Sequence, residues 1–214
     1  MAVYDLEEQE QLSQIKAWWE RYGNLVATVL LTVAVISVGW QGWRWHQNRV
    51  AGEAGELFFE LQQAVATSDA QKARDVAGRL ISDYSATLQA QMGALLSAGA
   101  QFRKDEFDNA RVQLEWAATE GRDPVLRELA RLRLAGVLLQ KGETDAALSH
   151  LQPLPESPYR ARFEDLRGDV LAVQGKAVEA RAAWQNAIDT LEGKDDENAA
   201  LREVIRAKLE TLRG

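Results

Sequence analysis

The sequence predicts an all-α protein, an N-terminal transmembrane helix followed by an α-solenoid of helical hairpins. Three observations carry that prediction. A run of 22 residues without a charged group lies near the start, between Arg21 and Arg44. From Arg49 onward, apolar residues recur at helical spacing and β-branched runs of period two are missing. In the second half, two stretches align with one another without gaps at a fixed offset.

Residues 1–21 read as a short tail. They hold two basic and five acidic groups, which is −3 of the chain's net −7. Leu12, Ile15, Trp19 and Tyr22 recur on one helical stripe, as a short interfacial helix with no further role would have them.

Residues 22–43 form the transmembrane helix. As a helix the uncharged run measures about 33 Å, against roughly 30 Å for the hydrocarbon core of a bilayer. A soluble core helix would show a polar face. Here Thr28, Thr32 and Ser37 are the sole polar residues in Leu25–Trp40, and hydroxyls can bond back to their own helix. Trp18, Trp19 and Tyr22 flank one end, and Trp40, Trp43 and Trp45 the other. Six of the eleven Trp and Tyr residues thus stand at membrane-interface positions, where amphipathic rings favour the headgroups, and membrane lipid is the first partner. Ser37-Val38-Gly39 satisfies a small-x-small cleavage pattern, but the acidic preceding segment is unlike a signal peptide, and an anchor is the better reading. Orientation is a tie, with Lys16 and Arg21 before the span and Arg44 and Arg49 after it.

Residues 44–86 comprise a juxtamembrane helix and a degenerate repeat, with helices expected at 49–67 and 70–83 and Ala73 and Ala77 on one face. Residues 87–192 hold the repeats, with helices at 87–103, 106–119, 124–141, 143–152, 157–174 and 176–191. The four prolines (Pro124, Pro153, Pro155, Pro158) all fall between or at the starts of these periodic segments. "LRLAGVLLQKGETDAALSHL" aligns with "EDLRGDVLAVQGKAVEARAAW", placing Gly142 on Gly175, Ala147 on Ala180 and Leu151 on Trp184, each 33 residues apart. An earlier unit fits with Phe107, Ala110, Leu114 and Ala117 displaced by 37, which implies an insertion between the first two units. Residues 193–214 end the chain in a capping helix, expected at 196–212, with Leu201, Val204, Ile205, Leu209 and Leu212 on one stripe.

The spacing resembles the tetratricopeptide repeat, a helix–turn–helix unit of about 34 residues, so the solenoid is tetratricopeptide-like. The resemblance implies that Gly168 and Ala180 are small because paired helices cross closely, and that Gly142 and Gly175 sit in turns. Leu171, Trp184 and Ala187 would fill the space between neighbours, and Ala110, Leu114 and Ala147 would pack likewise.

Chemistry is conspicuous by its gaps. The chain has no cysteine, which excludes disulfides, thiolate metal sites and cysteine nucleophiles. Its two histidines, His46 and His150, are far apart, and each fits a structural role, interfacial for His46 and helix-terminal for His150. Gly168 to Gly175-Lys176 has the wrong spacing for a phosphate loop, and Ala177 stands where a hydroxyl would be needed. The acidic "KDDEN" run (194–198) fits a solvated helix start better than a calcium site, and Trp116 reads as packing. Net charge −7 argues against nucleic acid as a partner. We expect no catalytic residue, no cofactor, no metal and no small-molecule substrate, although an all-carboxylate enzyme is the rival from another class.

"EEQEQLSQIKAWWERYGN", then the uncharged span, then "GWQGWRW", closely resembles the bacterial family of tetratricopeptide-containing ancillary subunits of the SecYEG (Sec) translocon. "RGDVLAVQGKAVEARAAWQNAI" (167–188) resembles the best-marked repeat of that family. The resemblance covers essentially the whole chain. It implies a cytoplasmic N-terminal tail, one inner-membrane helix and a periplasmic solenoid. It further implies partners in the translocon subunits and in a membrane-anchored periplasmic chaperone of the prolyl-isomerase type, with a scaffold rather than an enzyme as the function. A cytoplasm-facing scaffold for another inner-membrane assembly is the alternative. First-helix positions include Leu95, Gly99, Leu132, Arg162 and Leu166, mostly apolar, so a partner groove would suit helices or unfolded apolar segments better than a carboxylate. Met92, Leu95, Phe102, Leu132 and Leu139 are its candidates, with burial in the core as the competing role.

Overall fold

The computed structural model describes residues 2–191 and 198–211, with side chains from residue 11 onward. The described residues form nine helices and no strand: α1 (Ala2–Ala66), α2 (Ala70–Asp83), α3 (Leu88–Phe102), α4 (Phe107–Thr119), α5 (Pro124–Gln140), α6 (Thr144–His150), α7 (Arg160–Val173), α8 (Ala177–Leu191) and α9 (Ala199–Thr211). The chain divides into two compact units, Met1–Val50 and Ala51–Gly214. The helix expected to begin at residue 49 has no separate start. No proline interrupts the segment, and α1 runs through that position.

Within the first unit, the apolar stretch meets the length and composition needed to cross a membrane. Leu25, Leu31, Ile36 and Val38 are all more than 60% exposed, a surface that water would not tolerate and lipid would. The polar interruptions are neutralised locally. Thr28 Oγ1 donates to the Asn24 carbonyl at 2.7 Å, Thr32 Oγ1 to Thr28 at 2.8 Å, and Ser37 Oγ to Val33 at 2.7 Å. At one end Trp18 and Tyr22 pack with ring centroids 5.7 Å apart, and at the other Trp40 and Trp43 lie 5.3 Å apart. Arg21 stands over Tyr22 and Arg49 over Trp45, near 6 Å in each case.

The second unit is a stack of helical hairpins. Local sequence sets the helix starts: Asp69, Thr87 and Asp123 each cap a helix by accepting from a backbone N–H three residues on. Pro124 follows Asp123 at the first helical position, where its missing N–H does no harm. Each hairpin closes on one residue with left-handed backbone: Ser68 (φ 59°), Asp105 (φ 60°), Gly142 (φ 77°) and Gly175 (φ 75°). The next N–H then returns to a carbonyl five residues back, as in Glu143 to Leu138 and Lys176 to Leu171, both 2.9 Å. These turn residues recur at offsets of 37, 37 and 33. The extra four residues between the first two aligned units are not an inserted loop. They lie in longer helices, since α4 and α5 have 13 and 17 residues where α6 and α7 have 7 and 14.

Burial follows the same order along the chain. One cluster joins Leu57 and Leu61 to Val76, Leu80 and Ala90; the next runs from Ala94 through Leu114, Leu134 and Leu138 to Phe163 and Val170; the last holds Leu171, Trp184, Ile188 and Ile205. Each hairpin therefore buries its apolar face only against its neighbours, as a solenoid requires. Side chains also stitch the loops. Gln91, fully buried, receives the Asp123 N–H on Oε1 at 2.8 Å and donates from Nε2 to the Asp123 carbonyl at 3.0 Å. Arg131 donates to the carbonyls of His150 and Pro153 while lying over the Phe163 ring.

The end of the stack is closed by α9. Ile205 is buried there, with Leu201 and Leu209 packed beside it. Val204, expected on this stripe, is 52% exposed, because it stands one position off the face that Ile205 turns inward. Lys208 Nζ donates to Asp165 Oδ1 at 2.7 Å and to Asp169 Oδ2 at 2.8 Å. Burial raises the Asp165 carboxyl above its usual range despite Lys208. Burial also pulls on the ammonium of Lys208, but its two carboxylate partners more than offset this and raise it. Leu212 and residues 194–197 of the acidic run lie outside the described residues.

Candidate partner-binding groove

Helices α3 and α5 are the first helices of consecutive hairpins, and both carry an interior glycine at the same repeat position, Gly99 and Gly136. An interior glycine forgoes about 1 kcal/mol relative to alanine. Close packing explains two other helix-interior glycines of the solenoid: a Cβ on Gly168 would meet Trp184 Cδ1 at 2.4 Å, and one on Gly93 would meet Leu80 Cδ1 at 2.8 Å, whereas Gly78 on α2 is open as well. At Gly136 a Cβ would have nothing within 4 Å, and at Gly99 only the tip of Arg103, at 3.9 Å. What these two positions supply is open space.

That space is a pocket of about 360 Å³ between α3 and α5. Ala98, Leu114 and Val137 give it apolar walls, and Phe102, 38% exposed, adds an aromatic face. Phe102 is held edge-on by Phe107, with ring centroids 5.4 Å apart. Two guanidiniums complete the lining, those of Arg103 and Arg133. Arg133 Nη1 reaches from α5 to donate to the Leu95 carbonyl of α3 at 3.1 Å. Burial holds the Arg133 guanidinium below its ordinary value, with Tyr159 opposing the shift. No lining residue is acidic, and no carboxylate among the described residues pairs with Arg103 or Arg133. The groove thus combines an apolar floor with two cations, where the sequence predicts a mostly apolar groove.

Of the five groove candidates, Phe102 lines the pocket. Met92 is 38% exposed on α3 but is not part of it. Leu95 is a correction: at 4% exposure it packs in the core with Ala94, Leu134 and Leu138, because its position on α3 turns towards the next hairpin. Leu132 and Leu139 are half-buried against that same core. Arg103, Arg133 and Gly136 were missed in the sequence. Their signal was the 37-residue spacing of two helix-interior glycines, but the meeting of the arginines depends on the packing of α3 against α5.

Among the packing candidates, Ala110, Leu114, Ala147, Leu171, Ala180, Trp184 and Ala187 are buried. Gly168 lies against Trp184, whose Nε1 donates to the Asp165 carbonyl and to Asp169 Oδ1, both at 3.1 Å. Gly142 and Gly175 occupy the left-handed turn positions. The six aromatic residues of the membrane-interface set are all exposed on α1.

A family model described as a tetratricopeptide repeat-like domain matches residues 16–214. Three relatives are each named as an ancillary SecYEG translocon subunit. The one from Escherichia coli (strain K12) is 30% identical over 216 residues, covering 99% of both chains. The one from Neisseria gonorrhoeae is 29% identical over 217 residues, covering 97% of this chain and 98% of the relative. The one from Haemophilus influenzae is 28% identical over 185 residues, covering 86% and 90% respectively.

Proposed function

The chain belongs to the family of ancillary SecYEG translocon subunits, and from that premise we propose that it is a membrane-anchored scaffold working beside the Sec translocon. In this reading α1 crosses the inner membrane with the tail in the cytoplasm, and the solenoid faces the periplasm. There it docks a membrane-anchored chaperone of the prolyl-isomerase type and brings it to chains leaving the channel. The protein catalyses no reaction itself; its product is proximity.

The observation that carries this reading is the pairing of parts on one chain. A lipid-compatible helix, with aromatic belts at both ends, is followed by a repeat stack that carries an apolar, arginine-lined pocket between two first helices. Full-length relatives named for the translocon support the location.

The test is copurification. Extracted in mild detergent, the full chain should bring down translocon subunits together with a periplasmic prolyl isomerase. Abundant, folded protein that brings down neither would sink the proposal.

A further inference from the structure

We propose that the pocket between α3 and α5 receives a segment of a partner protein that carries a large apolar side chain beside a carboxylate. This rests on the scaffold reading above and names the chemistry of what the scaffold grips.

Three features of the pocket carry the inference. Its floor, formed by Leu114 and Val137 with Phe102 at the side, offers an apolar side chain a dry seat. Its volume of about 360 Å³ suits a leucine- or phenylalanine-sized group rather than a whole folded element. Arg103, at the C-terminal cap of α3, and Arg133, on α5, stand on the wall of that seat with no carboxylate partner among the described residues, in a chain whose net charge is −7. A guanidinium spreads its stem along apolar surface and presents a planar fork that matches a carboxylate. A purely apolar segment would fill the floor and give neither guanidinium an anion. A basic segment would be repelled. An acidic, apolar segment satisfies floor and wall together, and the missing side chains at Gly99 and Gly136 keep its path open.

The experiment uses the full-length protein in detergent micelles and three short fluorescent peptides. One alternates Leu or Phe with Glu, the second replaces Glu with Lys, and the third replaces Leu and Phe with Ser. The first should bind at least about tenfold more tightly than either of the others. Arg133→Glu and Arg103→Glu should each weaken the Glu peptide by about tenfold and strengthen the Lys peptide. Gly136→Leu, which adds bulk where a Cβ meets nothing, should abolish binding while far-UV circular dichroism stays unchanged.

Equal binding of the Glu and Lys peptides, wild-type binding by Gly136→Leu, or no binding of any peptide would each overturn the proposal. So would a dimer in sedimentation that Gly136→Leu dissolves, since the occupant would then be a second copy. If Gly136→Leu unfolds, the charge-reversal pair decides, because those side chains reach the surface. Failed peptide binding beside intact copurification of translocon subunits removes this inference alone. Failed copurification beside intact peptide binding removes the scaffold reading instead.

Discussion

Gly168→Ala tests how the last hairpin is assembled. Gly168 lies on α7 directly under the Trp184 indole of α8, and an added Cβ would stand 2.4 Å from Cδ1 and Nε1 and 2.8 Å from Cε2. The indole cannot swing away freely. It is 4% exposed, its Nε1 donates to Asp165 and Asp169, and the Lys208 ammonium lies 6.0 Å from its ring centre. Overpacking of this kind costs about 1–3 kcal/mol. Alanine recovers about 1 kcal/mol of helix propensity over glycine. A 2.4 Å approach belongs at the upper end of that range, so the net expectation is a loss of about 2 kcal/mol. In a Trp184→Leu background the clash is gone, and the same substitution should be neutral or stabilising by up to about 1 kcal/mol. Urea unfolding of the four proteins of this cycle, followed by far-UV circular dichroism, reads the coupling. A Gly168→Ala protein as stable as the wild type would refute the close-crossing account.

Three further outcomes follow from the same geometry. Gly142→Ala and Gly175→Ala each force a Cβ into left-handed backbone and should each lower stability by about 1 kcal/mol in thermal unfolding. Asp108 and Glu143 are both held below their usual carboxyl range, chiefly by hydrogen bonds from Lys141. Their stabilisation is present above the ordinary carboxylate value and is lost as pH falls through the lowered folded-state value, so Lys141→Met should flatten the acid limb of a stability–pH curve. Lys208→Met leaves Asp165 and Asp169 without their cation and should cost about 1–2 kcal/mol, with faster hydrogen exchange in α9.

The helices α2 to α9 were legible because periodicity and punctuation agree there: the caps Asp69, Thr87 and Asp123, the prolines, and glycine in two of the four turns. The other two turns were hidden. Ser68 and Asp105 take the left-handed position without glycine, so only the recurrence of the offset betrays them. The extra four residues between units looked like an insertion because sequence alignment cannot distinguish a longer helix from a longer loop. Leu95 and Val204 were misplaced for a common reason: on a helix packed on two sides, one position of rotation separates core from surface. The pocket itself was the least legible part. Its arginines lie 30 residues apart, one capping α3 and one on α5, and no local pattern joins them until α3 packs against α5. The anchor, by contrast, was written in one contiguous stretch, where length, lack of charge and flanking aromatic residues all point the same way.

The central claim, that the repeat stack works on the export side of the membrane, is open to one direct measurement. The full chain, with a C-terminal tag, is treated with protease in intact spheroplasts and again after lysis. The account predicts that the solenoid and tag are digested from outside while the residues before the span stay protected. A solenoid that resists until lysis would place it in the cytoplasm and contradict the account.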